Sequence, residues 1–475
     1  MNRFFEKHGL LKISSIFLVL AIVFTWLISL SYFNAGTLVS DEVVRLGLFD
    51  ISTYGFLAIT YFIHVFVFVF IAAGFYKFLG STEAYDKLTS NIANVFKGKE
   101  KILVAISTLV FACLSGITTD YLYLLAIIPF VISILAKLKV DKVVGFASTF
   151  GGVLIGILGS TYSTKVAGQL VNTSYGLGVQ YGNELVGTIV VLAIAYLLIL
   201  YFTFNKMGKK SDSLLTDEFM SENATPTKKA ARIPIHKISV VPMAITLVIT
   251  FIVLILAFIG WEEAFGVTVF TKAFEWINSA TLFDQPIYSY ILGSDYFAAF
   301  GKWDLFGAVT ILLVTTLIIK VLYRIPMDKV ISEYGEGFKK FGKTGIILLV
   351  IYTTLFISVS FPTVPYFING IVKGGVNLAN IFLSNSLMSV FAVEFQYVVS
   401  MLSTVFTSFE SLPIAALALQ LSYGFISFIA PTSVVLMLGL SLLDIKFKDY
   451  LKFMWKFLIS ILIVIIVVLA ILFLI

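Results

Sequence analysis

The residues Gly159-Ser160-Thr161-Tyr162-Ser163-Thr164-Lys165 interrupt an apolar stretch, 143–175, that is too long for one simple membrane crossing. Four Ser and Thr residues and a lysine in that setting mark a helix that stops while the chain is still at membrane depth. Non-helical backbone there leaves N–H and C=O groups unpaired, and it survives only where protein or water lines it. A second long stretch, 412–443, carries a matching interruption at Ala430-Pro431-Thr432-Ser433. Two further stretches, 102–138 and 376–411, are long enough for two half-length helices and break midway. The first turns at Ser115-Gly116-Ile117-Thr118-Thr119-Asp120, the second near Glu394 to Gln396. Four such breaks point to a chain organised around paired discontinuous helices.

The composition agrees. The chain has 475 residues, of which 59% are hydrophobic and only 13% charged, against about 25% charged in an ordinary soluble domain. So few charges could not cover a water-facing surface of this size, which excludes a cytosolic enzyme, a disordered chain and a secreted disulfide scaffold. One cysteine (Cys113) excludes a disulfide framework, and three scattered histidines (His8, His64, His236) offer no metal cluster. Uninterrupted spans are expected at 13–33, 51–75, 185–204, 238–260, 303–322, 345–366 and 453–475. With the N-terminus in the cytoplasm, the inner segments 1–12, 76–101, 136–142, 205–237, 320–343 and 446–456 hold 28 of the 33 Lys and Arg residues. Arg45, Lys272, Lys302 and Lys373 fall outside, and Lys165 alone falls at mid-membrane. The expected topology is nine crossings and two re-entrant hairpins in a multi-pass protein of the plasma membrane, with the C-terminus outside.

The two halves share a plan. A repeat at 1–205 and a repeat at 238–475 are joined by a hydrophilic cytoplasmic linker, 206–237. Each second span opens alike, with Gly47-Leu48-Phe49-Asp50 and Gly301-Lys302-Trp303-Asp304. A basic amphipathic stretch follows in each half (83–101 and 328–343), then a hairpin, an interrupted span and a last span. One extra crossing, 345–366, inverts the hairpin and broken helix of the second half. The expected fold is therefore an all-α polytopic membrane protein of the inverted-repeat transporter type, with two re-entrant hairpins and two discontinuous helices.

The breaks are where chemistry can sit. Broken helices present N–H groups to an anion and carbonyls to a cation. Candidate substrate contacts are Thr118, Thr119 and Asp120 at the first hairpin, and Ser160, Thr161, Ser163, Thr164 and Lys165 at the first break. In the second half they are Glu394, Gln396, Thr432 and Ser433. Oxygen donors at Gly116, Thr118, Gly159, Ser160, Pro431 and Thr432 would suit a coupling Na⁺, with H⁺ as the other choice. Any one of these hydroxyls could instead bond its own helix. Lys165 is the sharpest feature, because a charge at the bilayer centre costs about 2.5–3.5 kcal/mol on insertion scales. It could pair structurally with Asp120 or Glu394, neutralise a carboxylate substrate, or stand in for a coupling ion.

At Gly116-Ile117-Thr118-Thr119, Gly159-Ser160-Thr161 with Ala167-Gly168, Ala418-Leu419-Gln420, Ala430 to Ser433, Val435-Leu436-Met437 and Phe447 to Phe453, the chain resembles the anaerobic C4-dicarboxylate carrier (DcuC) family. Its YfcC-type relatives in the ion transporter superfamily are similar too. The resemblance implies an elevator-like secondary transporter for dicarboxylates or amino acids, including arginine/ornithine exchange. This chain departs from the family pattern by a lone Asp120, by Ser163-Thr164-Lys165 in place of an Asn-Pro, and by Ser422-Tyr423-Gly424 in place of an acidic stretch. Fewer acids and an added lysine weigh against a cationic amino acid and strict cation coupling.

The expected function is an ion-coupled or exchanging transporter of an amino acid or small carboxylate, working by alternating access. A basic amino-acid exchanger, or an ion or anion channel on the same scaffold, is the alternative. The sequence has no His-Glu-x-x-His or Gly-x-Ser-x-Gly motif, and no enzyme activity is expected. Expected partners are the substrate and the lipid bilayer, with a homodimer left open, no nucleic acid and no organic cofactor. A topology reporter inserted in the linker should be active only on the cytoplasmic side, and one fused after Ile475 only outside. The reverse pattern would overturn the orientation.

Overall fold

Backbone that cannot bond to water satisfies itself by forming helix, and helices carry most of the residues that the computed structural model describes: 9–180, 185–208, 213–215, 239–281, 283–293 and 297–474. The linker 206–237 lies largely outside these, as do His8, His236 and Asp295. Among the described residues, eight helices are long and apolar enough to cross a membrane.

The first half begins with α1 (Gly9–Leu27) and a small hairpin of β1 (Ser31–Asn34) and β2 (Thr37–Ser40). Ser31 pairs with Ser40 and Asn34 with Thr37. The two turn residues, Ala35 and Gly36, both have positive φ (47° and 79°), the geometry that tight hairpins need. The expected first span, 13–33, thus ends at Leu27, and Phe33 lies on a strand. Next come α2 (Leu48–Tyr61) and α3 (Ile63–Gly80), separated by a kink at Phe62. The surface helix α4 (Glu83–Phe96) follows.

The first hairpin is unequal. Its outgoing arm α5 (Glu100–Ile117) has 18 residues, enough by itself to cross, where two half-length arms were expected. The return is a 3₁₀ turn (Tyr121–Ala126) and α6 (Ile128–Lys137). The broken helix consists of α7 (Lys142–Ser148), α8 (Phe150–Leu158) and α9 (Ala167–Val171), with the expected break between α8 and α9. An additional kink falls at Thr149, whose hydroxyl shares the Gly145 carbonyl with Ser148 (2.8 and 3.0 Å). Such back-bonding bends helices. The half closes with α10 (Leu185–Met207).

The second half runs through α11 (Val241–Phe258), then α12 (Trp261–Phe265), α13 (Val269–Ser279) and α14 (Ile287–Leu292), and then α15 (Leu305–Leu322). The matched openings of α2 and α15 are capped differently. Asp50 lies inside α2 and accepts the Gly47 N–H (2.7 Å), whereas Asp304 is itself the N-cap of α15 and accepts from Gly307 (3.0 Å). The amphipathic stretch 328–343 is not separate: it is continuous with the next crossing in the 34-residue α16 (Met327–Ser360). No proline interrupts it, and Gly337 lets it lie directly on the Ala73–Gly74 backbone of α3. After α17 (Val364–Val372) comes the second hairpin, α18 (Leu378–Phe391) and α19 (Phe395–Phe406). The second broken helix is α20 (Leu412–Ser427) and α21 (Val434–Leu442), and α22 (Phe447–Leu474) ends the chain.

The broken helices form the centre. Every residue of α8 is buried. On one side it meets α5 at Gly152 and Gly156, where added Cβ atoms would lie 2.8 Å from the Thr108 oxygen and 3.0 Å from the Gly116 nitrogen. Small residues four apart permit this approach. On its other side, Gly424 of α20 sits against the Leu158 backbone, so the two broken helices touch just before the first break. The described linker residues are more than a spacer. Ser213 and Leu215 exchange backbone hydrogen bonds with Lys142 and Val140 (2.9 and 2.8 Å), and the buried Leu215 side chain fills the space beside Gly145. Gly156→Leu should destabilise the fold by about 3 kcal/mol or more through overpacking. An unchanged melting temperature in detergent would refute the close α5–α8 contact.

Candidate substrate and ion site

Helix α8 stops at Leu158 because its next N–H groups find a partner elsewhere. The N–H groups of Thr161, Tyr162 and Ser163 converge on one oxygen, the carbonyl of Gly116 at the end of α5 (3.0, 3.1 and 3.1 Å). The Thr161 hydroxyl adds a longer contact (3.3 Å). The first break is thereby fastened to the tip of the first hairpin, and Lys165 follows within one turn of chain.

Its ammonium lies between two acids. Lys165 Nζ is 2.9 Å from Asp120 Oδ2, at the first hairpin tip, and 3.8 Å from Glu394 Oε2, at the second. The Lys165, Asp120 and Glu394 side chains are only 23%, 13% and 15% exposed. Burying ions is expensive unless each is paired and hydrogen-bonded. Asp120 meets that condition: its Oδ1 accepts the Leu122 N–H (2.9 Å) and caps the 3₁₀ turn. Glu394 is held more loosely, with a long contact from the Tyr352 hydroxyl (3.4 Å) to its other oxygen. Three tyrosines complete the cluster. The Tyr121 ring lies 5.6 Å from the ammonium, its hydroxyl meets that of Tyr423 at 3.5 Å, and Tyr423 donates to the Val393 carbonyl beside Glu394 (2.9 Å). Two carboxylates against one ammonium leave a formal charge of minus one in the cluster.

The remaining sequence-expected residues divide. Thr118 and Thr119 pair with the end of α11: Thr118 bridges Ile259, and Thr119 donates to the Phe258 carbonyl from both its N–H and its hydroxyl (2.7 and 3.1 Å). Ser160 and Ser163 are fully buried. The Thr164 carbonyl accepts from the Gln169 side chain (2.8 Å). Thr432 donates to Val390 at the end of α18 (2.6 Å), and the Ser433 N–H to Ala430 (2.9 Å), so the second break is fastened to the second hairpin. Gln396 is exposed on α19 beyond the tip.

Several of the carbonyls expected to face a cation are engaged by the protein. Gly116 O carries its three N–H donors, Ser160 O accepts from Gln420 Nε2 (2.7 Å), and Pro431 O accepts from the Ser14 hydroxyl (2.8 Å). Sequence reasoning did not single out Tyr121, Tyr352, Tyr423, Gln420, Asn385 or Ser14 as site residues. Gln420 and Asn385 had a readable signal, as amides inside apolar helices. Asn385 donates to Leu419 and Ser422 (2.7 and 2.6 Å). Among the described residues, Thr118 Oγ1, Ser163 Oγ, Asn385 Oδ1 and Gln420 Oε1 are buried oxygens without a partner.

The family profile described as DcuC, C4-dicarboxylate anaerobic carrier, matches residues 45–474. The chain belongs to this family. The match spans both hairpins and both broken helices, and as a DcuC-family member the chain is a secondary transporter embedded in a membrane. Two solved transporters are similar along most of their length. The MtrF antimetabolite efflux pump of Neisseria gonorrhoeae shares 13% identity, over 97% of this chain and 94% of that one, at a TM-score of 0.38. The YdaH transporter of Alcanivorax borkumensis shares 14%, over 97% of both chains, at 0.39. No curated protein matches the chain. Within this DcuC-type chain, Lys165→Gln should destabilise by about 3–5 kcal/mol, because it leaves two buried carboxylates without their shared cation. Adding Asp120→Asn to Lys165→Gln should recover part of that loss, because it removes one of the two facing negative charges. Strictly additive melting shifts would mean the two side chains do not interact.

Proposed function

We propose that the chain moves an amino acid or small organic acid across the plasma membrane by elevator-like alternating access. The observation that carries this reading is Lys165, held at one point between the tips of both hairpins, one from each half. A mobile carrier needs a site whose walls come from its gates, so that opening either gate undoes one side of the site. The repeats 1–205 and 238–475, with the N-terminus cytoplasmic, would have the first hairpin gate the inner face and the second hairpin the outer face.

A substrate carboxylate would take the Lys165 ammonium in a charge-assisted hydrogen bond. An amino acid's ammonium would take Glu394, the looser of the two acids. The partnerless oxygens of Thr118 and Ser163 are further acceptors for an N–H group. The surplus acid favours the basic amino-acid exchanger as the second reading, because a cationic side chain would bring the cluster to neutrality. A dicarboxylate would instead add two negative charges to a site that already carries one.

Reconstitution in proteoliposomes tests this, with radiolabelled neutral, basic and dicarboxylic substrates assayed for uptake and counterflow. Saturable uptake with counterflow is expected. Lys165→Ala should lower transport efficiency by about 10–100-fold, the worth of one charge-assisted hydrogen bond. Undiminished transport by that variant would remove Lys165 from the substrate site, and unitary currents in place of counterflow would make the protein a channel.

A further inference from the structure

We infer that Lys165 is a tethered replacement for a free monovalent cation. Its ammonium fills the position between the hairpin-tip carboxylates Asp120 and Glu394 that would otherwise draw Na⁺ or an ammonium group from solution.

Three observations lead there. First, a single Nζ lies within 4 Å of both acids (2.9 and 3.8 Å), so the two carboxylates are within the reach of one cation. Without the lysine, two buried negative charges would face each other with nothing between them, and one would have to bind a cation or a proton. Second, three of the backbone oxygens that a broken-helix cation site would use are already bonded by the protein's own donors. Gly116 O receives three N–H groups, Ser160 O the Gln420 amide and Pro431 O the Ser14 hydroxyl. A carbonyl with three donors has no lone pair left for a metal ion, which takes Gly116 O out of any Na⁺ site, and the other two carbonyls each have one lone pair already engaged. Third, Lys165 sits on the short break between α8 and α9, which the Gly116 carbonyl pins in place. The ammonium is therefore held at a fixed, high effective concentration beside both acids, and the external cation concentration hardly competes with it.

The consequence, which rests on the transport reading, is that the carrier can reorient without an inorganic ion. Lys165 occupies the acids when substrate is absent and gives them up when a substrate's own ammonium arrives. The binding test does not depend on transport.

Purified wild type, Lys165→Ala and Lys165→Arg are melted in choline, sodium or methylammonium chloride at equal ionic strength. Choline is too bulky and lacks N–H groups. Wild type and Lys165→Arg should melt alike in all three salts. Lys165→Ala should melt lower in choline and rise saturably with sodium or methylammonium, and the two arms distinguish an inorganic ion from an amine. Lys165→Gln serves in its place if the alanine variant does not fold. The triple variant Asp120→Asn, Lys165→Ala, Glu394→Gln should lose the response. A saturable sodium response of equal size in wild type and Lys165→Ala would overturn the proposal, as would a folded Lys165→Ala or Lys165→Gln that responds to neither cation. Absence of transport for every substrate tried would sink the transport reading alone, and the melting series would still decide this one.

Discussion

An ammonium group cannot remain buried in an apolar surround without partners, and the architecture around Lys165 meets that requirement. The charge must be paired, the pairing acids must themselves be hydrogen-bonded, and the whole cluster must be closed off from lipid. The partners come from distant points of the chain. Asp120 lies at one hairpin tip and Glu394 at the other, and Tyr352 arrives on the extra crossing α16. Each acid can reach the lysine only if α5, α8, α18 and α20 stop where they do. The helix ends and the charge cluster are thus one feature seen from two sides.

The helix ends are in turn set by small residues and by a single carbonyl. Gly152 and Gly156 let α8 lie against α5, and Gly424 lets α20 lie against the last turn of α8. This brings Gly116 O under the N–H groups of Thr161, Tyr162 and Ser163 in the break that follows α8. Three backbone N–H groups of the break are thereby satisfied. What it does leave are side-chain oxygens, those of Thr118, Ser163, Asn385 and Gln420. Buried acceptors of that kind are costly in a structural core and useful in a binding site. Thr118 and Ser163 each lie two residues from a member of the charge cluster, in keeping with a transporter that meets a polar solute in an apolar surround.

Much of the fold could be read from spacing alone. Both broken helices and the two hairpin turns fall where polar residues interrupt apolar runs, since period and length report directly on helix in a membrane. Errors came at ends and junctions. The first span stops at Leu27 because the following residues pair as strands, and 328–343 continues into α16 because nothing in it breaks a helix. The matched Gly-x-x-Asp openings of α2 and α15 hide different caps. A cap depends on which residue begins the helix, and short motifs leave that undetermined by one turn.

The sequence by itself determined that this is a helical membrane protein with four breaks and one lysine beside a break. Those are consequences of hydropathy and charge, which each residue carries wherever it lies. Tertiary structure decided which acid the lysine meets. Asp120 and Glu394 are remote from each other in the chain, and only the packing of two hairpins on two broken helices brings both to one ammonium. It also decided that Thr432 serves the second hairpin, that Gln396 stays exposed, and that three tyrosines join the cluster. Such assignments turn on distances of a few ångströms between segments, and one-dimensional spacing does not carry that information.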